Sequence, residues 1–486
     1  MNQVGTQIQQ LILGFSYLLS EVIITVGAIL VLIMQLIVKE KGELFKRLFT
    51  IAVLAVAALS IGQQSIDGEF MIGLLWQSSL LRIIKALFIG IAIVVFVFPN
   101  EKKLYNQGEY YFLILMVLLG AMLVIQSANF LVFYIAVELV SISSYVLVVF
   151  SFRPKGYEAG LKYLLFGAMS SGIMLYGMSL IYGLTGSLNI PDFSIAIISQ
   201  LSNSPWLVMA IVLFAIGLLF KLAMAPMHIW APDAYEAGPT PVVGYISVLP
   251  KASVFIFAFA LVMYTGIPSV SWGWNQGLSV VAITSMFIGN LAALRQTNLK
   301  RLMAYSSIAH SGFIIVGLIA GGDFGIQSLV FYLVIYALMN LGMFYFIAVL
   351  EQSGINQIED LSGLGKKNIG FSILGLVILI ALIGLPPTAG FTAKLLVFSA
   401  LWESYTKNPE GYLMWLLGIG VLNSALSLFY YLKIPYQMII KEGSKKRLSV
   451  SRTNVAVLTF FSILILIFFF KPDLLLNILN QTSFAF

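Results

Sequence analysis

The chain is written in long apolar blocks separated by short polar gaps. A helix needs about 20 residues to cross the hydrocarbon core of a bilayer. Measured against that length, the sequence divides into apolar runs at 14–38, 48–62, 79–98, 110–126, 128–150, 161–184, 206–232, 241–264, 276–295, 302–321, 326–350, 370–400, 411–433 and 454–470. The pattern predicts an all-α integral membrane fold with about fourteen transmembrane helices, give or take one. The run at 48–62 is short, and the division between the runs at 110–126 and 128–150 rests on Gln126, Ser127 and Asn129 alone.

Composition agrees: 60% of residues are hydrophobic and 10% charged, values that belong to a protein whose solvent is lipid. The absence of cysteine excludes disulfides, iron–sulfur clusters and thiolate metal sites, and two histidines leave little material for haem or zinc. Any electron transfer is expected in other chains. The first ten residues are uncharged and lead straight into an apolar run, which predicts a retained helix and not a removed signal.

The net charge of +7 suggests nucleic acid until its location is considered. With the amino terminus outside, the inner loops hold Lys39, Lys41, Lys46, Arg47, Lys102, Lys103, Arg153, Lys155, Lys162, Arg295, Lys300, Arg301, Lys366, Lys367, Lys433, Lys441, Lys445, Lys446, Arg447 and Arg452. The outer side holds only Lys407 and Lys471, the asymmetry expected of short cytoplasmic loops. Adding or losing one helix scrambles that segregation, so the charges support the span count. Lys441 to Arg447 is a topology signal facing anionic lipid headgroups, with no nucleic-acid partner expected. Of the basic residues on neither side, Arg82 and Lys85 lie in the outer half of the third run and are expected to snorkel to the interface.

Four charges are not so easily explained. Glu138, Lys221, Lys251 and Lys394 each fall inside a long apolar run, where an ionisable group costs roughly 2.5–3.5 kcal/mol even on insertion scales. Two of those runs are also interrupted by proline. In Phe220 to Pro232, Pro226 and Pro232 free the carbonyls of Leu222 and His228; in Gly384 to Lys394, Pro386 and Pro387 free those of Leu382 and Ile383. Such breaks occur in membranes where protein or internal water satisfies the carbonyls again, and they point to ion pathways built from repeats.

The stretches KLAMAPMHIWAPDAYEAGPTPV (221–242), GNLAALRQTNLKRLMAYSSIAH (289–310) and GLPPTAGFTAKLLVF (384–398) resemble the signature segments of the antiporter-like membrane subunits of respiratory complex I, nearest its subunit N, or chain 2, branch. The resemblance covers nearly the whole chain. It implies two inverted five-helix repeats, each with a broken helix, at 110–264 and 276–433, preceded by helices in 1–98 and followed by one at 454–470. It also implies proton-path roles for Glu138, Lys221, Lys251 and Lys394. The chain departs from the family in reading Glu236-Ala237-Gly238-Pro239 where members commonly have glutamate-glycine-alanine-proline, which alters a turn but removes no titratable group. Implied partners are the other membrane subunits of complex I, an antiporter-like neighbour and small membrane subunits, in a hetero-oligomer of the bacterial inner membrane. FMN, iron–sulfur clusters and quinone would sit in partners, with no cofactor in this chain.

The physical chemistry of the residues fits that implication. Losing water disfavours an ammonium, and a nearby carboxylate restores it, so moving the carboxylate moves the proton. Glu138 is then the modulator, Lys221 and Lys251 the relay, and Lys394 the outward gate. A static ion pair would account for Glu138 and Lys221 but gives no reason for Lys251 and Lys394. His310 is expected to relay protons; His228 either does so or caps the freed carbonyls. Ser141, Ser143, Ser144 and Tyr145 are expected to act as interhelical glue. The rivals are a subunit of an Mrp-type sodium/proton antiporter or membrane-bound hydrogenase, and a structural membrane subunit that translocates nothing. The short tail after the last span, without a lateral helix, separates the chain from subunit L, and lysine at 394 separates it from subunit M, which has glutamate there.

Overall fold

The computed structural model describes residues 14–38, 42–62, 67–99, 104, 107–196, 204–265, 273–442, 448 and 450–482. The inner-loop cations Lys39, Lys41, Lys102, Lys103, Lys445, Lys446 and Arg447 lie outside them. In chain order the helices are α1 (Leu19–Val38), α2 (Glu43–Ile61), α3 (Ser79–Val95), α4 (Gly108–Gln126), α5 (Phe130–Val149), α6 (Pro154–Thr185), α7 (Ile190–Ala196), α8 (Pro205–Lys221), α9 (Trp230–Ala237) and α10 (Thr240–Thr265). They continue with α11 (Trp274–Leu294), α12 (Leu299–Ala320), α13 (Gly322–Glu351), α14 (Leu364–Lys367), α15 (Ile369–Ile383), α16 (Ala389–Lys407), α17 (Gly411–Pro435), α18 (Arg452–Phe470) and α19 (Asp473–Asn480). Among the described residues, eleven helices are long and apolar enough to cross a membrane, and α8 and α15 are shorter apolar helices. A small antiparallel hairpin, β1 (Gly68–Phe70) and β2 (Leu75–Gln77), precedes α3.

The chain forms two compact units. The first comprises Met1–Lys221, Leu249–Trp272 and Thr482–Phe486, and the second Leu222–Val248 and Gly273–Gln481. In the first, α1 packs on α2 and α4, α4 on α5, α5 on α6, and α6 on α8. Small residues permit the last contact: a Cβ on Gly177 would lie 2.8 Å from the Ala210 carbonyl, and one on Gly217 2.5 Å from the Met174 Cβ. The division between α4 and α5 falls where Gln126, Ser127 and Asn129 predict it. The Asn129 side chain caps α5 by accepting the Leu131 N–H at 2.8 Å, which satisfies an otherwise orphaned donor.

The first unit corrects one expectation. Lys85 does not snorkel: it is fully buried, with its ammonium 2.8 Å from the carboxylate of Glu21 on α1. The other Glu21 oxygen accepts from the Ser20 hydroxyl at 2.7 Å. Arg82, one turn earlier, reaches Asp67 at 3.1 Å. A buried carboxylate thus neutralises a buried ammonium, and desolvation keeps both from leaving the pair.

In the second unit α11 packs on α12 and α17, while α12 also meets α9, α13 and α16. Helices α12 and α13 are almost wholly buried, so their polar residues face protein, whereas α17 exposes apolar side chains such as Trp415, Val421 and Phe429. The short α9 is fastened to the start of α12 by charge: Arg301 bonds Asp233 at 2.7 Å and Glu236 at 2.9 Å. Lys300 pairs with Glu351 at 3.1 Å and donates to the Gly238 carbonyl at 2.9 Å, so the turn at Glu236 to Pro239 is held through its backbone.

Removing one partner of a buried pair strands the other charge. Lys85→Ala is expected to cost about 3–5 kcal/mol, while the double change Glu21→Leu/Lys85→Met recovers most of it. Thermal unfolding of the detergent-solubilised protein, followed by loss of tertiary signal, checks both.

Candidate functional site

Helix α8 ends on Lys221, because the next turns must accommodate Pro226 and cannot continue the i→i−4 ladder. The lysine is therefore a helix-terminal residue, and its side chain is buried within the first unit. Its ammonium donates to Ser141 at 2.6 Å, Ser171 at 3.3 Å and Glu138 at 3.3 Å. Ser171 in turn donates to the same Glu138 oxygen at 2.5 Å. Helices α5, α6 and α8 thus bring a carboxylate, two hydroxyls and an ammonium to one point.

Sequence reasoning paired Glu138 with Lys221, and the geometry does the same. It missed Ser171, whose only signal is a serine pair, Ser170-Ser171, in a helix otherwise rich in apolar and small residues. It also assigned Ser141 to glue. Ser141 does bond its own helix, donating to the Val137 carbonyl at 2.7 Å, but its oxygen also makes the shortest contact to Lys221. The ion pair is loose: the Glu138 side chain is 22% exposed, and the lysine has a neutral hydroxyl closer than the carboxylate. Lys251 is also buried in the first unit, on α10 directly after Pro250.

The second unit contains the break itself. The Leu222 carbonyl, freed by Pro226, accepts from the Ser311 hydroxyl of α12 at 2.9 Å. The Ala225 N–H donates to Ser285 of α11 at 3.0 Å. Ala223 takes the left-handed conformation at φ 51°, uncommon for a residue with a Cβ. The His228 carbonyl, freed by Pro232, accepts the Ala231 N–H at 3.0 Å.

The second break is satisfied differently. The Ile383 carbonyl, freed by Pro387, accepts directly from the Lys394 ammonium at 2.7 Å. The same ammonium donates to Ser424 of α17 at 3.0 Å and stands 4.6 Å from the centre of the Phe313 ring. Gly384 makes room for it: φ there is +85°, and a Cβ would lie 2.8 Å from the lysine Cδ. Among the described residues no carboxylate lies within ion-pair distance of Lys394, so its charge is held by neutral acceptors alone.

His310 lies at the centre of a buried group of hydroxyls. Its Nδ1 is 3.0 Å from the Tyr332 hydroxyl and its Nε2 3.4 Å from that of Tyr431. With both ring nitrogens engaged, the imidazole can take a proton at one and give one up at the other. Neighbouring Ser307 bonds Tyr336 at 2.8 Å, and Tyr336 donates to the Ser247 carbonyl at 3.3 Å. Among the described residues no cluster of three or more histidine, aspartate and glutamate side chains could hold a metal ion.

Of these buried ammonium groups, Lys221 and Lys394 stand at the two breaks, and Lys251 lies inside α10. A model of the NADH:quinone oxidoreductase/Mrp antiporter transmembrane family matches residues 127–427. The chain belongs to that family. The matched stretch contains Glu138, Lys221, His228, Lys251, His310 and Lys394 but neither Glu21 nor Lys85. The protein named NADH-quinone oxidoreductase subunit N 2 from Chloroherpeton thalassium is 40% identical over 398 residues, covering 79% of this chain and 76% of its own length. A chain of respiratory complex I from Thermus thermophilus, solved with bound aureothin, superposes with a TM-score of 0.77 at 27% identity, covering 94% of this chain and 98% of that one. A chain of the Mrp complex from a Dietzia species gives 0.80 at 20% identity over 96% of each, a likeness of fold.

The carbonyl bonds make a local test of the first break. Ser311→Ala leaves the Leu222 carbonyl buried without its hydroxyl, at a cost of about 1–3 kcal/mol. Amide hydrogen exchange is expected to speed up in 222–229 and to stay unchanged in α18.

Proposed function

We propose that this chain is the proton-translocating subunit N of a bacterial NADH:quinone oxidoreductase, moving protons through buried Glu, Lys and His groups while partner subunits reduce quinone. The single observation that carries the proposal is the loose pair of Glu138 and Lys221 at the residue where α8 stops. A lysine bonded to a hydroxyl at 2.6 Å and to a carboxylate at 3.3 Å can exchange its partners with a small movement. As the carboxylate withdraws, the desolvated ammonium loses the charge that stabilised it and gives up its proton. Lys251 receives it, His310 passes it on, and Lys394 holds it before release to the outer side. The loosely held Lys394 fits that last role, since a carboxylate would retain the proton. His228, beside the first break, either carries protons as well or caps the carbonyls that the prolines free.

The same proposal gives fourteen crossings arranged as two inverted five-helix repeats, with α8–α9 and α15–α16 as the broken helices. It puts the amino terminus on the periplasmic side of the bacterial inner membrane. An antiporter-like neighbour and small membrane subunits would be its partners in a hetero-oligomer, and flavin, iron–sulfur clusters and quinone would belong to other subunits. Relatives named as subunit N, matched over most of both chains, favour this over an Mrp antiporter or hydrogenase subunit. Lys394, buried with only neutral acceptors among the described residues, weighs against a purely structural subunit, because an ionisable group in the apolar layer costs roughly 2.5–3.5 kcal/mol and a brace would pair it as Lys85 is paired.

In vesicles carrying the assembled complex, Lys221→Ala and Lys394→Ala are each expected to lower proton uptake per NADH oxidised, with the amount of assembled complex unchanged. Unaltered uptake in both variants would remove the relay and leave the structural reading.

A further inference from the structure

Lys85 and Lys221 are buried lysines of the first unit, each paired with a glutamate that also has a serine beside it. The serines are placed differently. In the pair that braces α1 and α3, Ser20 donates to Glu21 Oε2, the oxygen that Lys85 leaves free, and ammonium and carboxylate close to 2.8 Å. In the pair between α5 and α8, Ser171 of α6 donates at 2.5 Å to Glu138 Oε1, the oxygen that Lys221 also approaches, and that ion contact stands at 3.3 Å. The Ser171 oxygen accepts from the same ammonium, again at 3.3 Å. One hydroxyl therefore touches both charges, giving to the anion and receiving from the cation. With Ser141 accepting at 2.6 Å, the three ammonium protons are all engaged, and the shortest of the three contacts is to a neutral oxygen.

We infer that Ser171 is a positioning residue for the Glu138–Lys221 pair: its hydroxyl, seated on both charges, keeps them from closing to a direct contact. The inference rests on the reading of that pair as the switch, and it names what sets the starting point of the switch. A hydroxyl bonded to a carboxylate oxygen is held strongly and in a fixed direction. On Oε1 it competes with the ammonium for the same atom, whereas Ser20 on the far oxygen of Glu21 leaves the brace free to close. When Glu138 swings away, Lys221 keeps its bond to Ser141, so opening the pair does not leave the ammonium without an acceptor.

The helices cannot close the gap by moving together, because two glycines already hold them in contact one turn from the pair. A Cβ on Gly167, four residues before Ser171, would lie 2.0 Å from the hydroxyl of Tyr145, four residues after Ser141 on α5. A Cβ on Gly217, four residues before Lys221, would lie 2.5 Å from the Met174 Cβ of α6. Tyr145 is fixed in turn by edge-on packing against Tyr163, with ring centres 4.4 Å apart. Adjustment is thus left to the side chains of Glu138 and Lys221. Ser170 gives an internal comparison: it is as buried as Ser171, yet its hydroxyl has no hydrogen-bond partner among the described residues.

The competing explanation is that Ser171 only packs α6 against its neighbours. The test measures proton uptake per NADH oxidised, in vesicles of the assembled complex, for Ser171→Ala, Ser171→Thr, Ser171→Val, Ser170→Ala and Lys221→Ala. Threonine and valine share a shape and differ by the hydroxyl, so a packing role moves both alike. Losing a hydrogen bond to a charged group is expected to bias the pair toward closure by about tenfold or more. Positioning therefore predicts that Ser171→Ala and Ser171→Val lose most of the uptake that Lys221→Ala loses, while Ser171→Thr and Ser170→Ala retain it. An infrared difference spectrum gives a second readout: the Glu138 carboxylate band, identified by its loss in Glu138→Gln, shifts in Ser171→Ala and stays in place in Ser170→Ala. If Lys221→Ala loses uptake while Ser171→Ala and Ser171→Val keep it, or if the threonine and valine variants lose it equally, the positioning role is wrong and the relay stands. If Lys221→Ala keeps uptake, the relay falls and the positioning role with it. Where the threonine and valine variants do not assemble, the alanine variant decides, and an unshifted carboxylate band overturns the role.

Discussion

A main-chain carbonyl has no water to turn to inside a bilayer, and this protein's candidate path is organised by that constraint. Proline interrupts two runs and frees acceptors in the apolar layer. The fold must supply donors at those points, so polar side chains collect there and nowhere else without cost. Ser311 supplies one for Leu222, and Lys394 supplies another for Ile383. In the second solution the group that completes the backbone is itself ionisable.

Three of the buried ammonium groups among the described residues are held in different ways. Glu21 and Lys85 form a tight pair at 2.8 Å with almost no exposure, the arrangement of a fixed brace. Glu138 and Lys221 are farther apart, with serine hydroxyls competing for the ammonium. Lys394 has a carbonyl, a hydroxyl and an aromatic face. From the first to the last, the partners of the ammonium change from an anion to neutral dipoles.

Much of this was legible in the sequence because membrane insertion writes itself along the chain. Run lengths located α4 to α6 and α10 to α13, and the prolines after Lys221 and before Lys394 located both breaks. The cap at Asn129 was visible as a lone polar cluster. What escaped was information held between helices. Glu21 sits near the start of an apolar run and looks like an interfacial residue until α1 is packed beside α3, so Lys85 was expected to reach outward. Ser171 and the true contact of Ser141 likewise appear only when three helices converge. The hairpin at 68–77 was missed because its strands are three residues each, shorter than the alternation that reveals a strand.

The close approach of Lys394 to Gly384 has a consequence for how the family can change. The lysine stem lies where a side chain at 384 would have to project, and the backbone there adopts a conformation that disfavours any other residue. The two positions therefore form one unit of inheritance. A methyl at 384 would have to displace the lysine stem, and the positive φ would strain it even with residue 394 shortened. A bulkier residue at 384 thus conflicts both with the stem of a lysine ten residues further on and with its own backbone.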